Sequence, residues 1–286
     1  MIKTDRRKQQ RKSMGLRFCS FASGSTGNSY LVRTDNTAIL VDCGIAGKRI
    51  LGGLDSVGLG IDDVNAILIT HEHSDHIQSI RMMAKKAVNA DVLATPGTIE
   101  GIGDKVPSGR INKISAGDSF HVGDIMVDCF RVSHDALDPV GYTFEAEGRR
   151  LSILTDTGIV TDTIYDHIKK ANALILEANH EVNILRAGPY PFELQQRILS
   201  DRGHLSNVAA GELLCRMLDE RCTAAESDLE DDPVSVLLAH VSRNNNTPQQ
   251  AYLTVQNMLI EDDHYVDKEV KLDVASHEVM SQMIEV

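Results

Sequence analysis

Six consecutive residues, His71-Glu72-His73-Ser74-Asp75-His76, bring three imidazoles and an aspartate together directly after the apolar run Ala66-Ile67-Leu68-Ile69. Side chains alternate along an extended segment, so His71 and His73 face one way and can grip one ion. Asp75 and His76 fall where a helix through Ile77 to Lys86 should begin, and their side chains diverge toward a second ion. Residues of this type and spacing point to a dinuclear metal site. The alternative is a polar turn whose histidines cap the helix. Imidazole and carboxylate suit zinc or manganese, iron is compatible too, and the donors alone do not choose among them. Two ions with open positions need about three protein ligands each and a bridge. The rest of the chain must therefore supply further ligands.

The elements that would position them recur in two halves. The apolar stretch 37–41 closes in Asp42-Cys43-Gly44, and the stretch 151–155 closes in Asp156-Thr157-Gly158. Each is followed by a helical segment and a second apolar strand: Ala66 to Ile69 delivers His71 onward, and Ala173 to Leu176 delivers Glu177-Ala178-Asn179-His180-Glu181. Two such sheet-and-helix halves packed face to face would align their strand ends along one edge. Short strands and hairpins are expected at Asp91 to Ala94, Ile111 to Ser115, Ser119 to His121 and Ile125 to Val132, the last running on to His134. A helix is expected over Leu205 to Asp219, with Ser206 or Asn207 as cap. Val234 to Ala239 reads as a buried strand ending at His240. Thr247 to Ile260 reads as a helix opening on Pro248, and a terminal strand is expected near Glu269 to Val274. Ligand-type residues thus close apolar strands at Asp42, His71, His134, Asp156, Glu177 and His240.

Composition sets limits. With 286 residues, 42% of them hydrophobic, and no tryptophan, the chain has material for one large core, and a single domain over 15–286 is expected. The sequence holds no membrane-length apolar run and no secretory leader pattern, so a cytoplasmic protein with no membrane partner is expected. Its five cysteines are odd in number, and Cys19, Cys43 and Cys129 sit in apolar contexts, which predicts buried free thiols. Cys43, beside Asp42, is the only one placed to serve as a soft ligand. The net charge of −12 excludes a broad basic face but not a local patch. Residues 1–14, rich in Lys and Arg, are expected to form a disordered basic arm, and Thr223 to Asp232 an acidic surface loop.

The unbroken His-x-His-x-Asp-His at 71–76, followed by the later strand-end residues, resembles the metallo-β-lactamase superfamily from Leu16 onward. That resemblance implies an α/β fold, the αβ/βα four-layer sandwich, with two divalent ions at the sheet edge. His71, His73 and His134 would hold one ion, and Asp75, His76 and His240 the other, with Asp156 bridging. Asp42 would orient the histidine loop without binding metal. His180, just past a strand, is expected to stand behind the ligands, with a substrate contact or simple packing as the alternatives. The segments Phe21 to Ser29, Gly203-His204-Leu205-Ser206-Asn207 and His240 to Pro248 look like the YycJ branch, also called WalJ, whose members are described as DNA exonucleases. Gly203 to Ser206, Ala239 to Ser242 and Glu177-Ala178 are similar to motifs of ribonuclease Z. The stretch from Asp156 to His204 is too short for an inserted β-CASP domain, and no basic excursion resembles the transfer-RNA arm of ribonuclease Z.

The resemblance implies a phosphodiesterase acting on nucleic acid, DNA ahead of RNA, from the 5′ end, with a metal-bridged hydroxide as nucleophile. Asp75, His204 and Glu177 are the expected catalytic residues: His204 protonates the leaving oxygen and Glu177 stabilises its imidazolium. Ser23, Ser25, Thr26, Asn28, Ser206 and Asn244 are candidate substrate contacts, the first four because a small-residue turn exposes N–H groups and hydroxyls. Pro189 to Arg197 is expected to wall the groove, with Arg186, Arg197 or Arg202 near phosphates. Two other functions fit the same residues, namely hydrolysis of a small thioester or lactone and a non-catalytic regulatory scaffold. A homo-oligomer is compatible with either.

Overall fold

The computed structural model describes residues 15–223 and 232–286. The basic arm expected at 1–14 lies outside them, as does the acidic loop expected at Thr223 to Asp232 apart from its two end residues. The strands are β1 (Arg17–Ala22), β2 (Ser29–Arg33), β3 (Ala38–Val41), β4 (Ala66–Leu68), β5 (Asp91–Ala94), β6 (Ile111–Lys113), β7 (Ser119–Val122), β8 (Ile125–Arg131), β9 (Val140–Ala146), β10 (Arg149–Leu154), β11 (Ala173–Glu177), β12 (Val234–Ala239), β13 (Val270–Val274) and β14 (Ile284–Glu285). The helices are α1 (Gly47–Ser56), α2 (Ser74–Ile77), α3 (Ile80–Lys86), α4 (Pro96–Ile102), α5 (Asp162–Ile168), α6 (Val182–Ala187), α7 (Phe192–Ile198), α8 (Asn207–Thr223) and α9 (Pro248–Glu261).

Two seven-stranded sheets result, ordered β14-β1-β2-β3-β4-β5-β6 and β13-β12-β11-β10-β9-β8-β7. Each has a parallel half, β3 to β6 in the first and β10 to β13 in the second, and an antiparallel half. Strands β4, β11 and β12 are buried along their whole length. This explains their uninterrupted apolar sequences, since a parallel strand covered on both faces has no solvent side to carry polar residues. Between the sheets, Phe18, Tyr30 and Ile39 pack with Tyr142, Phe144 and Ile175. Outside the first sheet, Ile50, Leu54, Ile80 and Met83 from α1 and α3 cover Leu40 and Ile67. Outside the second, Ile164, Leu214 and Val255 from α5, α8 and α9 cover Leu174, Leu176 and Leu238. The architecture is the αβ/βα sandwich. No helix among the described residues is long and apolar enough to cross a membrane.

The structure departs from the sequence reading in several places, the unexpected helices α4, α6 and α7 among them. The helix expected over Ile77 to Lys86 is split into α2 and α3, because Ser79 is pinned to the loop after β3: its N–H donates to Cys43 O (2.8 Å) and its hydroxyl to Ile45 O (2.6 Å). Strand β9 is buried at six of its seven positions and shows no polar alternation to reveal it. Strand β14 is two residues long, too short for any periodicity, and carries the C-terminus from the second sheet back to pair with β1 of the first.

Candidate metal centre

The C-terminal ends of β3, β4, β10, β11 and β12 meet at one rim, each delivering ligand-type residues there. Asp42 and His240 follow their strands directly and Asp156 follows β10 after one intervening residue, all three in left-handed backbone conformation, at φ 61°, 52° and 57° respectively. Such conformations are uncommon outside glycine and cluster at functional sites. Here they turn the chain abruptly off the sheet at the rim. Glycine makes the approach of the histidine loop possible, since a Cβ on Gly44 would lie 1.6 Å from Asp75 O.

Four sets of donor atoms converge there, each within 4.8 Å: His71, His73 and His134; Asp75, His76 and His240; His71, His76 and Asp156; and Asp156, Glu177, His204 and His240. Asp156 lies between the first two sets, with Oδ1 3.8 Å from His134 Nε2 and 3.4 Å from His240 Nδ1, and Oδ2 3.4 Å from His76 Nε2. Four of the histidines have Nδ1 engaged from behind. His76 Nδ1 meets Asp42 Oδ2 at 2.8 Å, His134 Nδ1 meets Gly203 O at 3.1 Å, and His240 Nδ1 meets Glu177 Oε1 at 2.8 Å. Thr70 donates its hydroxyl proton to Asp42 Oδ2 (2.9 Å), which leaves Thr70 Oγ1 to accept from His71 Nδ1 at 3.1 Å. With the proton held at Nδ1, each Nε2 presents a lone pair toward the rim, the form a metal ligand needs.

The donor set fits divalent cations. His71 Nε2, His240 Nε2 and Asp156 Oδ2 are buried and have no hydrogen-bond partner among the described residues. Orphaned acceptors of this kind cost about 1–3 kcal/mol each unless something electropositive sits among them. In the cation-free chain protons substitute in part. Burial disfavours the charged form of His240, yet Asp156, Asp75 and Glu177 prevail and push its pKa up to about 10. Burial opposes charge at His76 as well, and Asp156, Asp42 and Asp75 hold its pKa well above the ordinary value. His71 goes the other way, held neutral by burial and by the neighbouring histidines.

Behind the second set, Glu177 is fully buried and ties three strand ends together. Its Oε1 accepts from His204 Nδ1 (2.7 Å) and His240 Nδ1, and its Oε2 from the N–H groups of Thr157 (3.0 Å) and Leu205 (3.2 Å). Burial raises a carboxyl pKa, but the histidines outweigh it and keep Glu177 ionised. His204 is partly exposed and lines a cavity of about 360 Å³ together with His73, Asp75, Asp156 and His240.

The expected substrate contacts divide. Ser25 lines the cavity, Thr26 is exposed, and Asn244 is exposed with its amide donating to Tyr190 Oη at 2.8 Å. Ser23 and Asn28 are corrected: both are fully buried. Ser23 Oγ accepts the His240 N–H (2.8 Å) and donates to Asn28 Oδ1 (3.1 Å), while Asn28 Nδ2 lies 3.1 Å from His76 Nε2. The small-residue turn folds inward to brace the histidine loop, which its sequence does not distinguish from an outward phosphate cradle. Ser206 is half-buried, and its hydroxyl accepts from Ala209 N (3.1 Å) as the cap of α8. His180 is buried with neither ring nitrogen partnered, so it orients no ligand through a hydrogen bond, and burial lowers its pKa to about 4. Cys43 packs among Ile45 and Ile50, and burial pushes its thiol pKa up, contrary to what a thiolate ligand requires.

The groove wall expected at Pro189 to Arg197 contributes Tyr190, Leu194 and Arg197 to the cavity. Arg202 donates to His134 O (3.2 and 3.3 Å), and Arg186 is exposed. Thr70 and Asp135 are additions that sequence reasoning missed. Their only signals are adjacency to His71 and to His134.

Comparison with known proteins accords with this geometry. Residues 37–224 match the β-lactamase superfamily domain. The chain is 39% identical over 251 residues to the exodeoxyribonuclease YycJ of Bacillus anthracis, covering 87% of this chain and 90% of that protein. It is 36% identical over 278 residues to the exodeoxyribonuclease WalJ of Streptococcus pneumoniae, covering 96% and 99%. Among solved structures, the metallo-β-lactamase fold protein YhfI of Bacillus subtilis superposes with a TM-score of 0.67 at 13% identity, over 93% of this chain and 98% of that one, which shows a common fold.

Proposed function

The chain belongs to the metallo-β-lactamase superfamily, on the branch of YycJ and WalJ, and from that premise we propose that it is an exodeoxyribonuclease working from the 5′ end with two divalent cations. The observation that carries this reading is the position of Asp156 between two complete sets of donors. His71, His73 and His134 would hold one cation, Asp75, His76 and His240 the other, and Asp156 both. When bound, such cations supply Lewis acidity to water and to phosphate oxygens.

The chain's own residues do the rest. Asp42 and Thr70 fix the tautomers of His71 and His76 and hold their loop in place. Glu177 engages His204 at Nδ1, which leaves Nε2 to deliver a proton to the departing alkoxide. Because Glu177 also holds His240, the proton donor and one metal ligand share a single buried carboxylate. Tyr190, Leu194 and Ser25 border the cavity where the terminal nucleotide would enter. Its volume of about 360 Å³ lies within the range of small-ligand pockets, about 300–1,000 Å³, and suits a strand end better than an uninterrupted duplex. Work in the cytoplasm accords with the buried free thiols Cys19, Cys43 and Cys129.

The test is a panel of 5′- and 3′-labelled single-stranded and duplex DNA, matched RNA and a thioester, each with Mn²⁺ or Zn²⁺. Metal-dependent release of mononucleotides from the DNA 5′ end is expected. Thioester cleavage with intact DNA would replace this function with small-molecule hydrolysis, and no turnover of any substrate by the cation-loaded protein would leave a scaffold.

A further inference from the structure

The three-histidine set has an anionic neighbour with no assigned role. Asp135 follows His134 directly and lines the same cavity. Its Oδ1 lies 3.4 Å from His134 Nε2 and 4.0 Å from His73 Nε2, and it is buried with no hydrogen-bond partner. Its Oδ2 accepts from Arg197 Nε of α7. His134 gives its Nδ1 proton to Gly203 O, so its Nε2 faces Asp135 with a lone pair. Two acceptors face each other, an arrangement that repels unless a cation lies between them.

We propose that Asp135 is a fourth protein ligand to the cation of the His71, His73 and His134 set, positioned by Arg197, and that it biases this position toward Mn²⁺ over Zn²⁺. The inference rests on the reading that these histidines hold a cation. The charge pattern supports it. The second set has Asp75 as well as the shared Asp156, whereas the first, without Asp135, has three imidazoles and the shared carboxylate alone. Asp135 gives each divalent cation two carboxylates. Imidazole-rich positions of low coordination number suit zinc, and added carboxylate oxygen suits the harder manganese ion. Arg197 and Arg202 flank a single clamp: the first takes Asp135 Oδ2 and the second His134 O, while Gly203 O between α7 and α8 holds the His134 ring. Arg197, one of the three arginines expected near substrate phosphate, is thereby occupied with the carboxylate.

The experiment is calorimetric and mass-spectrometric cation binding by the full chain, stripped of metal, for wild type, Asp135→Asn, Arg197→Gln and His134→Ala, with circular dichroism to establish folding. Asp135→Asn is expected to weaken one of two Mn²⁺ positions by about 10–100-fold, with a smaller loss for Zn²⁺, and Arg197→Gln to shift the same position in the same direction. Unchanged Mn²⁺ affinity in both folded variants would overturn the ligand assignment. Equal losses for the two metals would overturn the bias. If His134→Ala binds as many cations as wild type, the underlying reading of the three-histidine set fails instead, and that outcome is distinguishable because it does not involve Asp135.

Discussion

Replacing Glu177 with Gln changes one atom and should disable the site from behind. The backbone N–H groups of Thr157 and Leu205 both point at Oε2, so the amide oxygen must occupy that position to avoid a donor facing two donors. The NH₂ then faces His204 Nδ1 and His240 Nδ1, 2.7 and 2.8 Å from the original Oε1. Both rings must accept there and carry their protons on Nε2. For His240 that blocks the nitrogen facing Asp75, and for His204 it removes the anion that stabilises the charged proton donor. Outer hydrogen-bond partners of metal ligands contribute about 10–100-fold to affinity. A tautomer-setting carboxylate changed to its amide in a serine protease triad costs about 10⁴ in kcat. The expected result is a fall in kcat of about 10²–10⁴ at saturating Mn²⁺, with weaker binding at one cation position. Single-turnover cleavage of labelled DNA, paired with calorimetry, measures both. Wild-type turnover and two wild-type affinities would refute the reasoning, because the substitution leaves shape unchanged and alters only the protons.

Changing His204 to Ala should separate chemistry from binding: two cations are retained and turnover falls by about 10²–10⁴, whereas unchanged turnover would end its role as proton donor. Gly44→Ala should drive a Cβ into Asp75 O, a backbone atom that cannot swing away, destabilising the fold by about 1–3 kcal/mol and weakening the cation position of Asp75, His76 and His240. Thermal melts and cation stoichiometry check it, and wild-type values in both would contradict the close approach. The cation-free protein should lose stability as pH rises from 6.5, the ordinary histidine value, toward about 10, because His240 and His76 are protonated more readily folded than unfolded and that advantage disappears as they titrate. The neutral-held His71 and His134 oppose this slope only near 6.5, where their unfolded imidazoles are still partly charged, and toward the alkaline end the buried thiols Cys19, Cys43 and Cys129, whose pKa burial raises, add to the decline. Loading with Mn²⁺ should remove the share of this decline that belongs to His76 and His240, leaving the thiol share at the alkaline end, because binding requires the neutral imidazole. A flat melting temperature in the stripped protein across that range would show that the carboxylate cage is not charging these rings.

What the sequence disclosed best were features written as local patterns. The run Ala66 to Ile69 and its counterpart Ala173 to Leu176 announced parallel buried strands, and a ligand-type residue at each strand end announced the rim. Thr247 before Pro248 marked the start of α9, where its hydroxyl accepts from Gln250 N at 3.0 Å. Features that depend on distant partners stayed hidden. Nothing in Phe21 to Ser29 tells whether its hydroxyls and amides point outward or, as found, inward to His76 and His240. The second bond of Glu177, to His240, joins residues 63 apart in sequence and becomes visible only when β11 and β12 pair side by side. Asp135 likewise gains meaning from Arg197 on α7, which lies 62 residues away.

The central claim is that seven side chains from both sheets, His71, His73, Asp75, His76, His134, Asp156 and His240, hold two divalent cations. Crystals soaked in Mn²⁺ and measured for anomalous scattering test it most directly. Two peaks at the rim, one among His71, His73 and His134 and one among Asp75, His76 and His240, with Asp156 touching both, are expected. A single peak, or peaks elsewhere in the molecule with the rim empty, would contradict it.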